Sequence, residues 1–371
     1  MDFNFSSEQE MLRKSVAEFL KKECPFETVK EIEDSQEGYS PKLWKKMAKL
    51  EWMGICFPEE YGGFGDPLTD LLIVMEEMGK RAFPSPFFST VIECGLTIME
   101  GGSEKQKKDL LGKIAAGKMI LGLARYEEDA DYHLSGINMQ AVPATGKWVL
   151  NGTKLFVNDA NIADKLLVIA KTESGLTFFI VDTQAKGIKI SRMPSIAHEN
   201  TCEVVFENVT VSEDEVLGAV GKGEEMVKKV EQKILIAKCA GMLGGCLSAL
   251  EMTTEYAKTR VQYGTPIGGN QIIQHYLADM KLAYDSSINF FHKTAWMIDQ
   301  GIDALQEASA LKAYLNESYN FITDRAVQIF GGVGTTREFD IGLFFQKAKA
   351  SELTLGDTEY HYEQVAQSLG L

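Results

Sequence analysis

The sequence contains no glycine pattern of the form G-x-G-x-x-G or G-x-x-x-x-G-K-[ST]. Neither a dinucleotide-binding βαβ fold nor a phosphate-binding P-loop is therefore supported. Histidine is scarce: five residues, at 133, 198, 275, 292 and 361, and no H-E-x-x-H pair. No protein-ligated metal is expected. The six cysteines stand far apart with no C-x-x-C spacing, which reads as reduced thiols in a cytoplasmic protein. Positive charge is in deficit. Thirty-eight Lys and Arg face 53 Asp and Glu, a net charge of −15. Such a chain lacks the basic footprint of a nucleic-acid binder and the polybasic patch of a membrane anchor. No apolar run approaches the roughly 18 residues of a membrane-spanning helix. Residues 1–22 carry charges on an amphipathic pattern, with no signal-peptide core. Membrane insertion is not expected.

What is present is ordinary globular material: 371 residues, 45% hydrophobic and 25% charged, enough for two to three domains. The first 118 residues read as helices. Ser6 starts one that carries Leu12, Val16, Phe19 and Leu20 on one face. Others cover 41–50, 66–78, a strongly apolar stretch at 87–99, and 104–115, with a turn-rich PEEYGGFG loop at 58–65. From 119 to 222 the texture changes to short β-rich runs separated by turns such as Asn151-Gly152, the pattern of a β-barrel or sandwich. A glycine-rich hinge at 218–223 precedes long helical segments over 224–260, 269–301, 303–330 and 340–370, which suggest a four-helix bundle. The expected order is an all-α domain (1–118), a β domain (119–222) and a helical bundle (223–371).

Two loops carry candidate chemistry. Arg260, Gln262, Tyr263 and Gln271 cluster at a helix junction. Arginine offers a charged fork and a helix start offers amides, a combination suited to a diphosphate. Further on, Gln328-Ile-Phe-Gly331-Gly332-Val-Gly334 ends a helix with glycines that let a backbone approach a ligand closely. Each alone is an interhelical loop or a helix end. Together, in this order, they resemble the C-terminal domain of the acyl-CoA dehydrogenase flavoprotein family. Its pattern is R-x-x-F-G-x-x-I-x-x-x-Q followed by Q-x-x-G-G-x-G, here with Tyr263 in place of Phe. Residues 1–10 are similar to the family's opening helix, 58–65 to its PEEYGGxG loop, and Asn151-Gly152-Thr153-Lys154 to its NGxK hairpin. The resemblance spans the whole chain.

That resemblance implies FAD, an acyl-CoA thioester, and removal of an α-proton by a carboxylate as hydride leaves the β-carbon. Electrons would pass to an electron-transfer flavoprotein. It places Arg260, Gln262, Tyr263, Gln271, Gln328, Gly331 and Gly332 on the diphosphate and adenine side of a FAD, usually a neighbouring subunit's, so an oligomer is implied.

The departures from the pattern are as informative. The family's usual base is the Glu of a Y-E-G-T loop, and Leu355 stands at that position here. Members with the alternative base place it early in the first bundle helix beside an Arg; Ile234 and Leu235 stand there. The flavin-side T-E-P-x-A-G-S-D segment is replaced by residues 125–131, and the W-I-T triplet by Phe156-Val157-Asn158. Phe156 and Asn158 remain candidates for a flavin edge. Two explanations follow. In one, a displaced carboxylate is the base. Glu93, the acid within the apolar stretch at 87–99, is the first candidate, ahead of Glu352 and Asp357. In the other, the chain resembles the small, non-catalytic-type subunit of heteromeric members such as pimeloyl-CoA dehydrogenase, whose ending L-F-G-D-x-x-x-H is similar to Leu355-Gly-Asp-Thr-Glu-Tyr-His361. It would then complete a heterotetramer with a homologous catalytic subunit, a homotetramer being the alternative; a third reading is an assembly subunit that binds acyl-CoA without redox chemistry.

Overall fold

The computed structural model describes residues 5–128 and 132–371. Residues 1–4 of the expected opening motif, and Asp129, Ala130 and Asp131 of the substituted segment, lie outside the described residues. In chain order the first helices are α1 (Ser7–Glu23), α2 (Phe26–Glu33), α3 (Pro41–Lys49) and α4 (Leu68–Lys80). A π-helix at Phe88–Gly95 runs into α5 (Leu96–Gly101), and α6 (Glu104–Ala115) follows. The strands are β1 (Leu121–Ala124), β2 (Gln140–Ala144), β3 (Lys147–Asn158), β4 (Lys165–Thr172), β5 (Gly175–Asp182), β6 (Ile188–Arg192), β7 (Thr201–Ser212) and β8 (Val216–Leu217). Then come α7 (Gly223–Thr259), a small hairpin of β9 (Val261–Gln262) and β10 (Thr265–Pro266), α8 (Gln271–Asp299), α9 (Leu305–Phe330), α10 (Ile341–Leu353) and α11 (Thr358–Ser368). The chain forms two compact units. One comprises residues up to Lys30, Leu68–Phe83 and Leu235–Leu371; the other comprises Glu31–Pro67 and Pro84–Ile234. The helices of the first 118 residues are thus shared between the units.

In the helical unit, local signals set the helix starts. Ser6 caps α1 by accepting from the Gln9 N–H, and the Gln9 side chain accepts from the Ser6 N–H, a reciprocal capping box. Asp357 caps α11 through the Tyr360 N–H at 2.8 Å. Packing then brings α4 against α7 so closely that a Cβ on Gly244 would stand 2.0 Å from the Glu76 carbonyl oxygen. Glycine is required there for contact between helix backbones. Glu76 and Glu77 of α4 are buried, and burial costs heavily without partners. Glu76 receives Arg13 at 2.7 Å, and Glu77 receives Lys80 at 2.6 Å.

Three sequence expectations change here. The helix α2 was not anticipated. The segment 340–370 is two helices rather than one, broken at Thr354–Asp357, where Leu355 has φ 62° and Gly356 φ 114°. Helix α7 does contain an 18-residue window long and apolar enough to cross a membrane, but 72% of that window is buried inside the fold. A mostly buried core helix passes the same test of length and apolarity.

In the sheet unit, the strands join in the order β6-β7-β3-β2-β4-β5-β8, with β1 pairing in parallel with β4. The short strands β2 and β8 escaped sequence detection, since β2 is mostly exposed and carries Pro143. Leu166 to Ala170 of β4 are all fully buried. A strand covered on both faces reads as such a continuous apolar run. The long pair β3–β7 breaks register between Lys154 and Val157. That bulge carries Phe156 at φ 54°. On the helical side of this unit, the apolar stretch at 87–99 is a π-helix rather than an ordinary one over Phe88–Gly95. π-helical turns are rare and concentrate at functional sites.

Candidate active site

The residues singled out in the sequence fall into two groups, one in each unit. In the sheet unit, Glu93 sits on the π-helix and is 5% exposed. Its charge and burial push the neighbouring Cys94 thiol up, burial being the larger cause. Tyr126 is pushed up first by burial, then by Glu93 and Glu231, with the Arg125 guanidinium opposing. Glu93, Arg125, Tyr126 and Glu231 therefore share one neighbourhood. Arg125 Nη2 donates to Glu231 Oε1 at 3.1 Å, and its guanidinium lies 5.6 Å from the Tyr126 ring centroid. Tyr126 in turn accepts the Leu155 N–H at 2.9 Å through its carbonyl. That bridge sets the bulge of Phe156 and Asn158 beside this cluster. Phe156 is exposed at positive φ, a conformation that costs a bulky residue about 1–2 kcal/mol. Strain of this kind gathers at binding sites.

The lysine of the NGxK hairpin has a partner that the sequence did not disclose. Lys154 is fully buried, and its Nζ donates to Glu127 Oε1 at 2.6 Å and to the Arg125 carbonyl at 3.1 Å. Burial pushes it down to about 8, against the pull of Glu127. The Glu127 carboxylate also accepts the N–H groups of Asn138 and Met139. The substituted segment is thus tied by a buried ion pair. The inward position of Lys154 on an alternating strand was its signal. Nearby, Asp159 is buried, accepts from Ser89 Oγ at 2.6 Å and from Asn200 Nδ2 at 3.1 Å, and is raised to about 6, mainly by burial.

In the helical unit, the two motif loops lie at one end of the bundle. Tyr256, just before the first loop, stacks on Phe330, just before the second, with centroids 4.1 Å apart and planes 11° from parallel. Beyond Tyr256, Arg260, Gln262 and Tyr263 form the β9–β10 hairpin, in which Gln262 pairs with Thr265. All three are exposed, and Tyr263 is fully so at φ 53°. Gln271 opens α8 and is exposed. Past Phe330, a Cβ at Gly331 or Gly332 would meet no atom within 4 Å. Gln328 borders an open depression of about 440 Å³ with Tyr276, Phe321, Asp324 and Arg325. The Arg325 guanidinium sits 4.4 Å over the Tyr276 ring. The result is an open glycine turn, a polar depression bordered by Arg325 and Gln328, and an exposed hairpin carrying Arg260, Gln262 and Tyr263. Such a surface can receive an anionic, partly planar group.

Position 355, to which the resemblance assigns the base, is also in this unit. Leu355 is buried at the α10–α11 break and accepts no proton. Glu352 and Asp357 are half-buried, and the Asp357 carboxylate is spent as the cap of α11. Ile234 and Leu235 are both buried apolar residues of α7.

Three family models match in sequence: the N-terminal domain of acyl-CoA dehydrogenase over residues 6–118, its middle domain over 122–209 and its C-terminal domain over 235–370. The chain is 30% identical to the short-chain-specific acyl-CoA dehydrogenase of Clostridium acetobutylicum, over 97% of each chain. It is 29% identical to the caffeyl-CoA reductase–Etf complex subunit CarC of Acetobacterium woodii, over 96% of each. Among solved structures, butyryl-CoA dehydrogenase of Megasphaera elsdenii superposes with a TM-score of 0.93 at 27% identity, covering 100% of both chains. With its three segments matched in order and its fold reproduced end to end, the chain belongs to the acyl-CoA dehydrogenase family of oxidoreductases.

Proposed function

We propose that this chain is an FAD-dependent subunit acting on the α,β-carbons of an acyl-CoA thioester, exchanging electrons with an electron-transfer flavoprotein, and that it completes a heteromeric assembly. The observation that carries the heteromeric part is Leu355: a buried hydrocarbon stands where the resemblance puts the proton-accepting carboxylate. The exposed loops support the rest. Gly331 and Gly332 leave room for a diphosphate, Arg260 offers a charged fork to it, and Gln328 with Gln262 offers amides to an adenine. These residues are exposed on one chain and Tyr263 is fully so, which suits groups that finish a neighbour's cofactor site. When bound, FAD supplies the hydride acceptor. This chain's own part is to bind and orient. The similarity to a reductase–Etf complex subunit supports the electron partner and leaves both reaction directions open.

A second reading has Glu93 as the base of a self-sufficient enzyme. Its burial on a π-helix, in one neighbourhood with Arg125 and Tyr126, favours it. The visible spectrum of the purified chain, alone and co-expressed with a homologous subunit, separates the two. A lone chain whose flavin is bleached by butyryl-CoA, and whose Glu93→Gln variant is not, supports the second reading. A lone chain that is colourless or unbleachable, and that turns over only with its homologue, supports the first.

A further inference from the structure

Lys312, in the middle of α9, is fully buried. Its Nζ donates to Asn316 Oδ1 at 2.6 Å, to the Ser351 carbonyl at 3.0 Å and to the Gly356 carbonyl at 3.0 Å. The Glu352 carbonyl is a longer fourth contact at 3.5 Å, and the three nearer oxygens match the three N–H donors of an ammonium. Two of them are main-chain groups on either side of Leu355: Ser351 lies in the last turn of α10, and Gly356 lies just before the cap of α11. The Ser351 carbonyl also accepts the Thr354 N–H at 3.3 Å, and a cation at a helix C-terminus interacts favourably with the helix dipole.

The other face of the same corner is fixed by His361. Its Nδ1 meets Ser309 Oγ at 2.7 Å, so α11 is tied to α9 a second time. A Cβ on Gly356 would come within 2.7 Å of His361 Nε2 and 2.5 Å of Tyr360 Cδ1. None of these contacts uses the side chain of residue 355.

We propose that Lys312 is a positioning residue, which holds the Thr354–Asp357 corner in one conformation whatever side chain stands at 355. The corner is then an intact seat for a carboxylate that this chain does not carry. The link from that seat to acyl-CoA chemistry rests on the reading given under Proposed function; the claim about Lys312 does not.

The test is amide hydrogen exchange on the full chain, read at residues 354–361 in wild type, Leu355→Ala, Leu355→Glu, Lys312→Met and Asn316→Ala. Wild-type-like protection is expected in both 355 variants. Faster exchange confined to the corner, by about tenfold or more, is expected in Lys312→Met. Asn316→Ala removes one anchor and keeps the ammonium, so it reads the same effect in smaller size if Lys312→Met does not fold. Corner exchange that rises in Leu355→Ala as much as in the Lys312 or Asn316 variants overturns the proposal. A second arm uses the flavin-loaded protein and butyryl-CoA. Leu355→Glu is expected to gain a bleaching phase that wild type lacks, and Leu355→Glu/Asn316→Ala to lose it. Exchange as expected without any such gain upholds Lys312 as the positioning group and instead removes the reading that places residue 355 at the acyl-CoA.

Discussion

Single side chains in this protein are defined by what burial does to their charge. His361 is pushed down to about 3, by burial first and then by the Lys312 charge. An unfolded chain binds a proton at this histidine below about pH 6.5, and the folded chain does not until about pH 3. Stability therefore falls as pH drops through that window, by at most about 1.4 kcal/mol per pH unit from this one group. A His361→Gln variant should show a shallower loss of melting temperature between pH 6.5 and 4 than wild type, measured by thermal denaturation. Asp159 runs in the opposite sense. Its carboxyl is raised from 3.8 to about 6, so the fold loses stability as pH rises between those values. Asp159→Asn should gain on wild type from pH 4 to pH 7, by up to about 3 kcal/mol. Equal pH dependence of the two proteins would show that Ser89 and Asn200 already stabilise the ionised form.

Elements are positioned by close approach and by buried ion pairs. The contact of α4 with α7 depends on Gly244, where a methyl group would overlap the Glu76 carbonyl. Gly244→Ala should cost about 3 kcal/mol or more, since overpacking here forces backbone apart, and urea denaturation would read it. In the sheet unit, the β3 lysine and the segment that follows β1 are tied by Lys154 and Glu127. Removing one partner of a buried pair costs about 3–5 kcal/mol because the other is left charged in the interior. Glu127→Ala should approach that cost. Glu127→Ala with Lys154→Met should recover a good part of it, and a double variant no better than the single one would show that the loss lies in the backbone N–H groups of Asn138 and Met139 instead. The elements themselves were largely legible. Capping serines, the period of apolar residues and the alternating runs marked most helices and strands. The break at Thr354–Asp357 was not, because a helix period continues across it and the contacts that hold it, Lys312 and Ser309 on α9, come from some forty residues earlier in sequence.

At the scale of the molecule, the prediction concerns assembly. Arg260 and Gln328 are exposed, so Arg260→Ala and Gln328→Ala should leave the lone chain's melting temperature within about 1 °C, as surface substitutions do. Both should lower the flavin content of a co-purified assembly, measured by visible absorbance. Unchanged flavin content would remove these residues from the shared cofactor site.

The sequence by itself determined the family, the order of helical and sheet segments, and the candidate loops, because those rest on local patterns: glycines in a loop, caps before helices, and apolar periods of two and 3.6. It also disclosed that position 355 holds no acid. Only the tertiary structure decided which charges are buried and with whom. Lys154 with Glu127, Arg125 with Glu231, and Lys312 with the α10–α11 corner are partners from distant parts of the chain, and the free energy of a buried charge depends on such neighbours rather than on its own stretch of sequence.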